Sequence, residues 1–276
     1  MTCRIEDYAL LGDCRTAALV SRDGSIDWLC WPRFDSDACF AALLGTPANG
    51  RWLLAPEGGA AAVARQYRDR TLILETTLET ATGRCRLVEC MAMQAEDSSI
   101  VRIVVGESGS VAFAMELALR FDYGACEPWH TALDDGAIEA VSGPDMVVLR
   151  TPVKLERREA KVLARFEVRA GERIPFVLSY RASHLPTPPA LDADKAVERT
   201  QACWDEWCTA GDIGGEYAGE IERSLVTLKA LTYAPTGGIV AAHTTSLPER
   251  IGGERNWDYH FCWLRDATLS LLALMR

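Results

Sequence analysis

No pair of cysteines stands in a C-x-x-C arrangement, no block of lysine and arginine occurs, and no apolar run approaches the roughly 18 residues of a membrane span. Each absence removes a class of function. The ten cysteines are irregularly spaced, and the close pairs Cys85/Cys90 and Cys203/Cys208 have no histidine at zinc-finger spacing. They are therefore expected to be buried free thiols rather than bridges or zinc ligands. His130, His184, His243 and His260 are dispersed, so no metal site is expected. The glycines of PTGG and IGG follow no strand–loop–helix pattern of a phosphate cradle, and no G-x-S-x-G or Ser-His-Asp set is visible. No cofactor is expected. The net charge is −10 with the cations scattered, which argues against nucleic acid as a partner. The N-terminal stretch places charges before any apolar run and has no h-region, so the expectation is a cytoplasmic protein with neither signal peptide nor membrane span.

What remains is ordinary globular material, 276 residues with 49% hydrophobic and 25% charged, enough for two domains. The first two thirds read as strands. Asp23-Gly24 between apolar flanks signals a hairpin. TLILETTLE and CRLVECMAM, joined by ATGR, signal another, and VLARFEVRAGERIPFVLSYRA reads as strand, turn and strand. Val111, Phe113, Met115, Leu117, Leu119 and Phe121 alternate strictly, the mark of a half-buried strand; SIVRIVV before it, reached through GESGS, is expected to be its hairpin partner. Many short strands with glycine turns predict an antiparallel β-sandwich over 1–185.

The period changes after Ser183. HLPTPPALD carries three prolines and belongs to neither sheet centre nor helix interior. Helical spacing follows, with Asp192 as N-cap, a stripe of Val197, Thr200, Trp204, Trp207 and Cys208, and Gly211 at the C-cap; 186–213 is thus a helical linker. A second helix is expected to bury Tyr217, Ile221, Leu225, Leu228 and Thr232 and to end at Pro235 and Gly237. A last helix carries Leu264, Thr268, Leu271, Leu272 and Met275 on one stripe. That hairpin, 214–276, is too small to stand alone: it should dock on the sandwich or on further chain.

Chemistry concentrates in ERNWDYHFCWLRDA. Trp257, Asp258, Trp263, Arg265 and Asp266 combine flat aromatic faces with charged forks, the mixture that covers a pyranose C–H face and holds hydroxyl pairs. The competing reading makes the aromatics core and Arg265-Asp266 a surface pair at a helix start. In the N-terminal hairpin, Trp28, Trp31, Phe34 and Asp35 are expected to be structural, plugging the sheet end, with a border of the sugar site as the alternative.

The ordered set GDCRTAALVSRDGSIDWLCWPRFDSDACFAALLG, RFDYG, SLVTLKALTYAPTGGIVAA, TTSLPE and GGERNWDYHFCWLRDA resembles bacterial glycoside hydrolase family 15, the glucoamylase, glucodextranase and trehalase group. The resemblance implies a β-sandwich (super-sandwich), a helical linker and the first helices of an incomplete (α/α)6 barrel, with an α-glucoside or oligosaccharide as substrate. It implies that Trp263, Arg265 and Asp266 hold a glucose in subsite −1. His260 departs from the family's usual arginine. Inversion needs two carboxyl groups, which the family draws from later barrel loops, so no residue here is nominated as catalytic. The expectation is a front portion of such a hydrolase, inactive without its missing barrel portion in cis or in trans. The alternatives are a non-enzymatic assembly module and a degenerate remnant.

Overall fold

A computed structural model describes residues 3–209, 211, 213–244, 254–255 and 257–275. Most of TTSLPE and the Gly252-Gly253 pair lie outside them. Fifteen main strands come first: β1 (Ala9–Gly12), β2 (Ala17–Val20), β3 (Ser25–Cys30), β4 (Ala38–Phe40), β5 (Arg51–Pro56), β6 (Ala61–Tyr67), β7 (Leu74–Glu79), β8 (Gly83–Met91), β9 (Ser99–Ala118), β10 (Trp129–Ala132), β11 (Ile138–Ser142), β12 (Asp145–Arg150), β13 (Glu156–Arg158), β14 (Lys161–Arg169) and β15 (Arg173–Ala182). Then come α1 (Ala193–Thr209), α2 (Ala218–Ala230), a small ladder of Thr232–Tyr233 with Gly238–Ile239, and α3 (Leu264–Leu274).

Every strand pairing is antiparallel, and β9 belongs to two layers. Its first half, Ser99–Val105, lies between β8 and β15. Its second half, Ser110–Leu117, lies between β5 and β14. The expected GESGS hairpin is therefore corrected: the two runs are one 20-residue strand that crosses from sheet to sheet. The glycines explain why no turn forms. Gly109 has φ +64, and a Cβ there would sit 2.2 Å from the Thr82 carbonyl oxygen; a Cβ on Gly106 would sit 2.0 Å from that of Arg169. Close backbone approach from both neighbours holds the strand extended. Glu107 is an extra residue in the register against β8, where Cys85 faces Gly106 and Arg84 faces Ser108. Such a bulge switches the inward-facing set. Ile100 and Val104 enter the core before it, Val111, Phe113, Met115 and Leu117 after it.

One apolar core fills the space between the layers. The Asp23-Gly24 and ATGR hairpins form as expected, with Gly24 at φ +82. The outer face of the β8–β9–β15 layer is covered by α1, where Val101, Ile103, Val105 and Val177 meet Ala193, Ala196 and Val197. Asp192 caps that helix, its carboxylate accepting from the Lys195 N–H at 3.2 Å. The α2 expectation needs correction. Its buried positions are Val226 and Ala230, packed with Trp204, Leu72 and Cys14, while Tyr217 and Ile221 are exposed. Arg223, on the same side, lies 4.5 Å above the Tyr67 ring and donates to the Thr71 carbonyl. A stripe called from large apolar side chains missed that the sandwich offers α2 a close seat suited to alanine and valine. The helix also ends at Ala230, before Pro235, because the chain turns into the small ladder. All ten cysteines are free thiols, five of them buried. No helix among the described residues is long and apolar enough to cross a membrane.

Candidate functional site

Trp263 is the N-cap of α3 in extended conformation (φ −99, ψ 129), and its carbonyl accepts the first helical bond from Ala267 at 2.8 Å. Its indole is held rather than free: Nε1–H donates to the Asp258 carbonyl at 2.9 Å. Trp257 meets that ring edge-on at 6.1 Å between centroids, and Tyr259 lies tilted to it at 5.4 Å. Arg265 and Asp266 follow in the first turn, where the helix dipole favours a carboxylate. They approach each other at 3.4 Å, and the Arg265 side chain is 76% exposed. An exposed pair of neighbours contributes little stability, so its geometry is available for a ligand. Contacts thus join Trp257 and Asp258 to Trp263, and Arg265 to Asp266, within and just before the first turn of α3.

The seat beneath this segment comes from the sandwich. The segment 259–261 pairs with 241–242 through Ala241 N–H to Phe261 O (3.1 Å) and Ala242 N–H to Tyr259 O (3.0 Å). Next along the chain, the His243 carbonyl accepts from Trp28 Nε1 at 2.8 Å. His260 is buried and stacks on the Trp28 ring at 5.8 Å and 18°. On its other side, Asp258 Oδ1 accepts from the His260 backbone N–H at 2.9 Å and lies 3.0 Å from Nδ1. The Nε2 atoms of His243 and His260 are fully enclosed, with no partner among the described residues. Burial depresses the affinity of both rings for a proton; for His260, Asp258 and Asp35 pull the other way. Nothing in the spacing of His243 and His260 links them; histidine at 260 in place of the family's usual arginine is the one signal the sequence carries.

Of the N-terminal aromatics, Trp28, Trp31 and Phe34 are buried, and Asp35 pairs with Arg33 at 2.7 Å. Trp31 Nε1 donates to Ser98, which donates to the buried Asp13. No group of three metal-ligating side chains occurs among the described residues. The sandwich also has an open cavity of about 290 Å3 lined by Ser21, Asp23, Thr76, Leu87 and Glu89 among others, with no aromatic ring in its wall.

Comparison with known proteins supplies the context. The model of trehalase-like N-terminal domains matches residues 1–205, and that of glycosyl hydrolases family 15 matches residues 215–276. A trehalase of Mycolicibacterium smegmatis is 34% identical over 98% of this chain and 44% of its own length. One of Mycobacterium tuberculosis is 36% identical over 98% of this chain and 43% of its own length. The chain spans less than half the length of these relatives. A bacterial glucoamylase solved in complex with acarbose superposes with a TM-score of 0.61 over 97% of this chain and 46% of its own, at 12% identity, a likeness of fold alone.

Proposed function

The chain belongs to the trehalase-like N-terminal family, continued by a segment of glycosyl hydrolases family 15, and from that premise we propose that residues 257–266 form one wall of a glucose subsite in a hydrolase of α-glucosidic bonds. The observation that carries this reading is the Trp263 indole, pinned by its own Nε1–H to the Asp258 carbonyl and followed in the next turn by an exposed Arg265-Asp266 pair. A pyranose rests its C–H face on the indole. The guanidinium donates to one hydroxyl pair, and the carboxylate accepts from another. Trp257 flanks the platform, and Asp258 holds it through its backbone. The names of the curated relatives make α,α-trehalose the first substrate to test.

Hydrolysis with inversion needs a carboxylic acid on the leaving oxygen and a carboxylate that activates water across the ring. Neither role is given to a residue described here. In this reading both come from later barrel loops, in the same polypeptide or another, and residues 1–276 bind sugar without turning it over. Exposed apolar side chains at the start of α2 and along α3 favour such a partner: Tyr217, Leu264, Leu269 and Met275 are 63%, 88%, 62% and 83% exposed. Calorimetric titration of the purified chain with trehalose, alongside a glucose-release assay, tests both parts. Weak binding that falls at least tenfold in R265A, with no glucose released, is the expected result. Glucose release would sink the division of labour; equal binding by R265A and W263A would sink the subsite.

A further inference from the structure

We infer that His260 is a positioning residue: by holding Asp258 Oδ1 with its backbone N–H and, at close range, its ring Nδ1 while stacked on Trp28, it aligns the Asp258 carbonyl that fixes the Trp263 indole. The chain of contacts is continuous. Trp28, fully buried in the sandwich, is clamped by its Nε1–H to the His243 carbonyl. Its ring lies nearly parallel to the His260 imidazole, 18° between planes. The imidazole Nδ1 and the His260 backbone N–H both converge on Asp258 Oδ1, at 3.0 and 2.9 Å. The Asp258 carbonyl then receives the Trp263 indole N–H at 2.9 Å. Asp258 is itself half exposed and would otherwise be a mobile surface carboxylate. A backbone hydrogen bond and a close ring contact from one buried residue remove that freedom.

The chemistry of the ring fits the task. With Nδ1 3.0 Å from a carboxylate oxygen, the proton of the neutral imidazole belongs on Nδ1, and Nε2 is enclosed without a partner among the described residues. An imidazole is flat enough to stack on an indole and still present one N–H in its own plane. The packing surface thereby becomes a directional hold on the sugar platform. The consequence for binding rests on the proposed glucose subsite; the hold itself belongs to the free protein and is measured there.

Fluorine NMR of the whole chain labelled with 5-fluorotryptophan reads each indole, with W263F assigning the Trp263 signal. Two variants separate direction from filling. H260F keeps a ring against Trp28 and deletes the donor; H260N keeps a donor in the place of Nδ1 and deletes the ring. Positioning predicts a Trp263 signal shifted or broadened in H260F and close to wild type in H260N. The reverse pattern, or a Trp263 signal unmoved in H260F, overturns the inference. If H260F does not fold, H260N decides alone, a displaced Trp263 signal counting against the hold. Adding trehalose to the same samples reads the subsite separately. A wild-type Trp263 signal indifferent to trehalose defeats the sugar-binding reading and leaves the hold standing.

Discussion

Arg102 shows how much one buried residue costs and how the fold meets that cost. Its guanidinium is fully buried between the sheets, yet Nε donates to Glu89 at 2.8 Å, Nη1 to the Trp52 carbonyl at 2.9 Å and Nη2 to the Gly24 carbonyl at 2.7 Å. It also lies 4.9 Å from the Trp52 ring centroid. Removing one member of such a pair leaves a buried charge alone, so R102M should lose about 3–5 kcal/mol in urea unfolding, with part regained in E89L/R102M. A loss below ~1 kcal/mol would show that water reaches Glu89. His243 gives the second prediction at this scale. It is partly exposed as a residue, but its enclosed ring holds its pKa down from 6.5 to about 4, through burial first and the neighbouring His260 second. The unfolded chain therefore takes up a proton that the folded chain resists. This contribution is fully present above about pH 6.5, falls as the pH drops towards 4 and levels off below, with an upper limit of about 3 kcal/mol. Urea midpoints from pH 7.5 to 4.5 should slope less in H243Q than in wild type; parallel slopes would contradict the assignment. The thiols make the third. Burial pushes Cys14 and Cys90 up to about 12, and Cys39 well above its ordinary value. Native alkylation followed by mass spectrometry should mark the exposed Cys126 and Cys262 and spare Cys14, Cys30, Cys39, Cys85 and Cys90 until the chain unfolds.

At the level of elements, β9 carries the architecture because both layers hydrogen-bond to it. Its crossing point depends on Gly109, where any side chain meets both a left-handed backbone and the Thr82 carbonyl. G109A should destabilise by at least about 2 kcal/mol, while alanine at Gly136, which has φ +83 and open space around it, pays only for its backbone angle, about 1 kcal/mol. Equal effects at the two sites would mean that the close approach is unimportant. These strands also show what was legible beforehand. Alternation from Val111 to Leu117 announced the inward face correctly, and Asp23-Gly24 announced a turn, because period and positive φ are local properties. GESGS misled because a glycine-rich stretch is equally suited to a turn and to a crossing, and only the neighbouring strands decide between them. The α2 face misled for a related reason. Val226 and Ala230 are buried by what the sandwich presents to them, whereas Tyr217 and Ile221, more apolar on paper, look outward.

The molecule as a whole is a sandwich with α1 laid across its outer layer and α2 seated by Val226 and Ala230 against Leu72 and Cys14. The residues proposed for the site are legible as a cluster because aromatic rings and an Arg-Asp fork fall within ten positions of each other. What supports them is not, since Trp28 and His260 are far apart in sequence and meet only once the sandwich is built. The exposed apolar side chains at the start of α2 and along α3 belong to this scale as well. They should bind a hydrophobic dye in the native state, and L264E/M275E should lower that signal without lowering the melting temperature, because both side chains are more than four-fifths exposed. The most direct measurement is a crystal of the chain soaked in α,α-trehalose. A glucose ring lying parallel to the Trp263 indole, with hydroxyls on Arg265 and Asp266, is the predicted density. Sugar bound only elsewhere, such as in the cavity beside Glu89, with the Trp263 face bare, would contradict it.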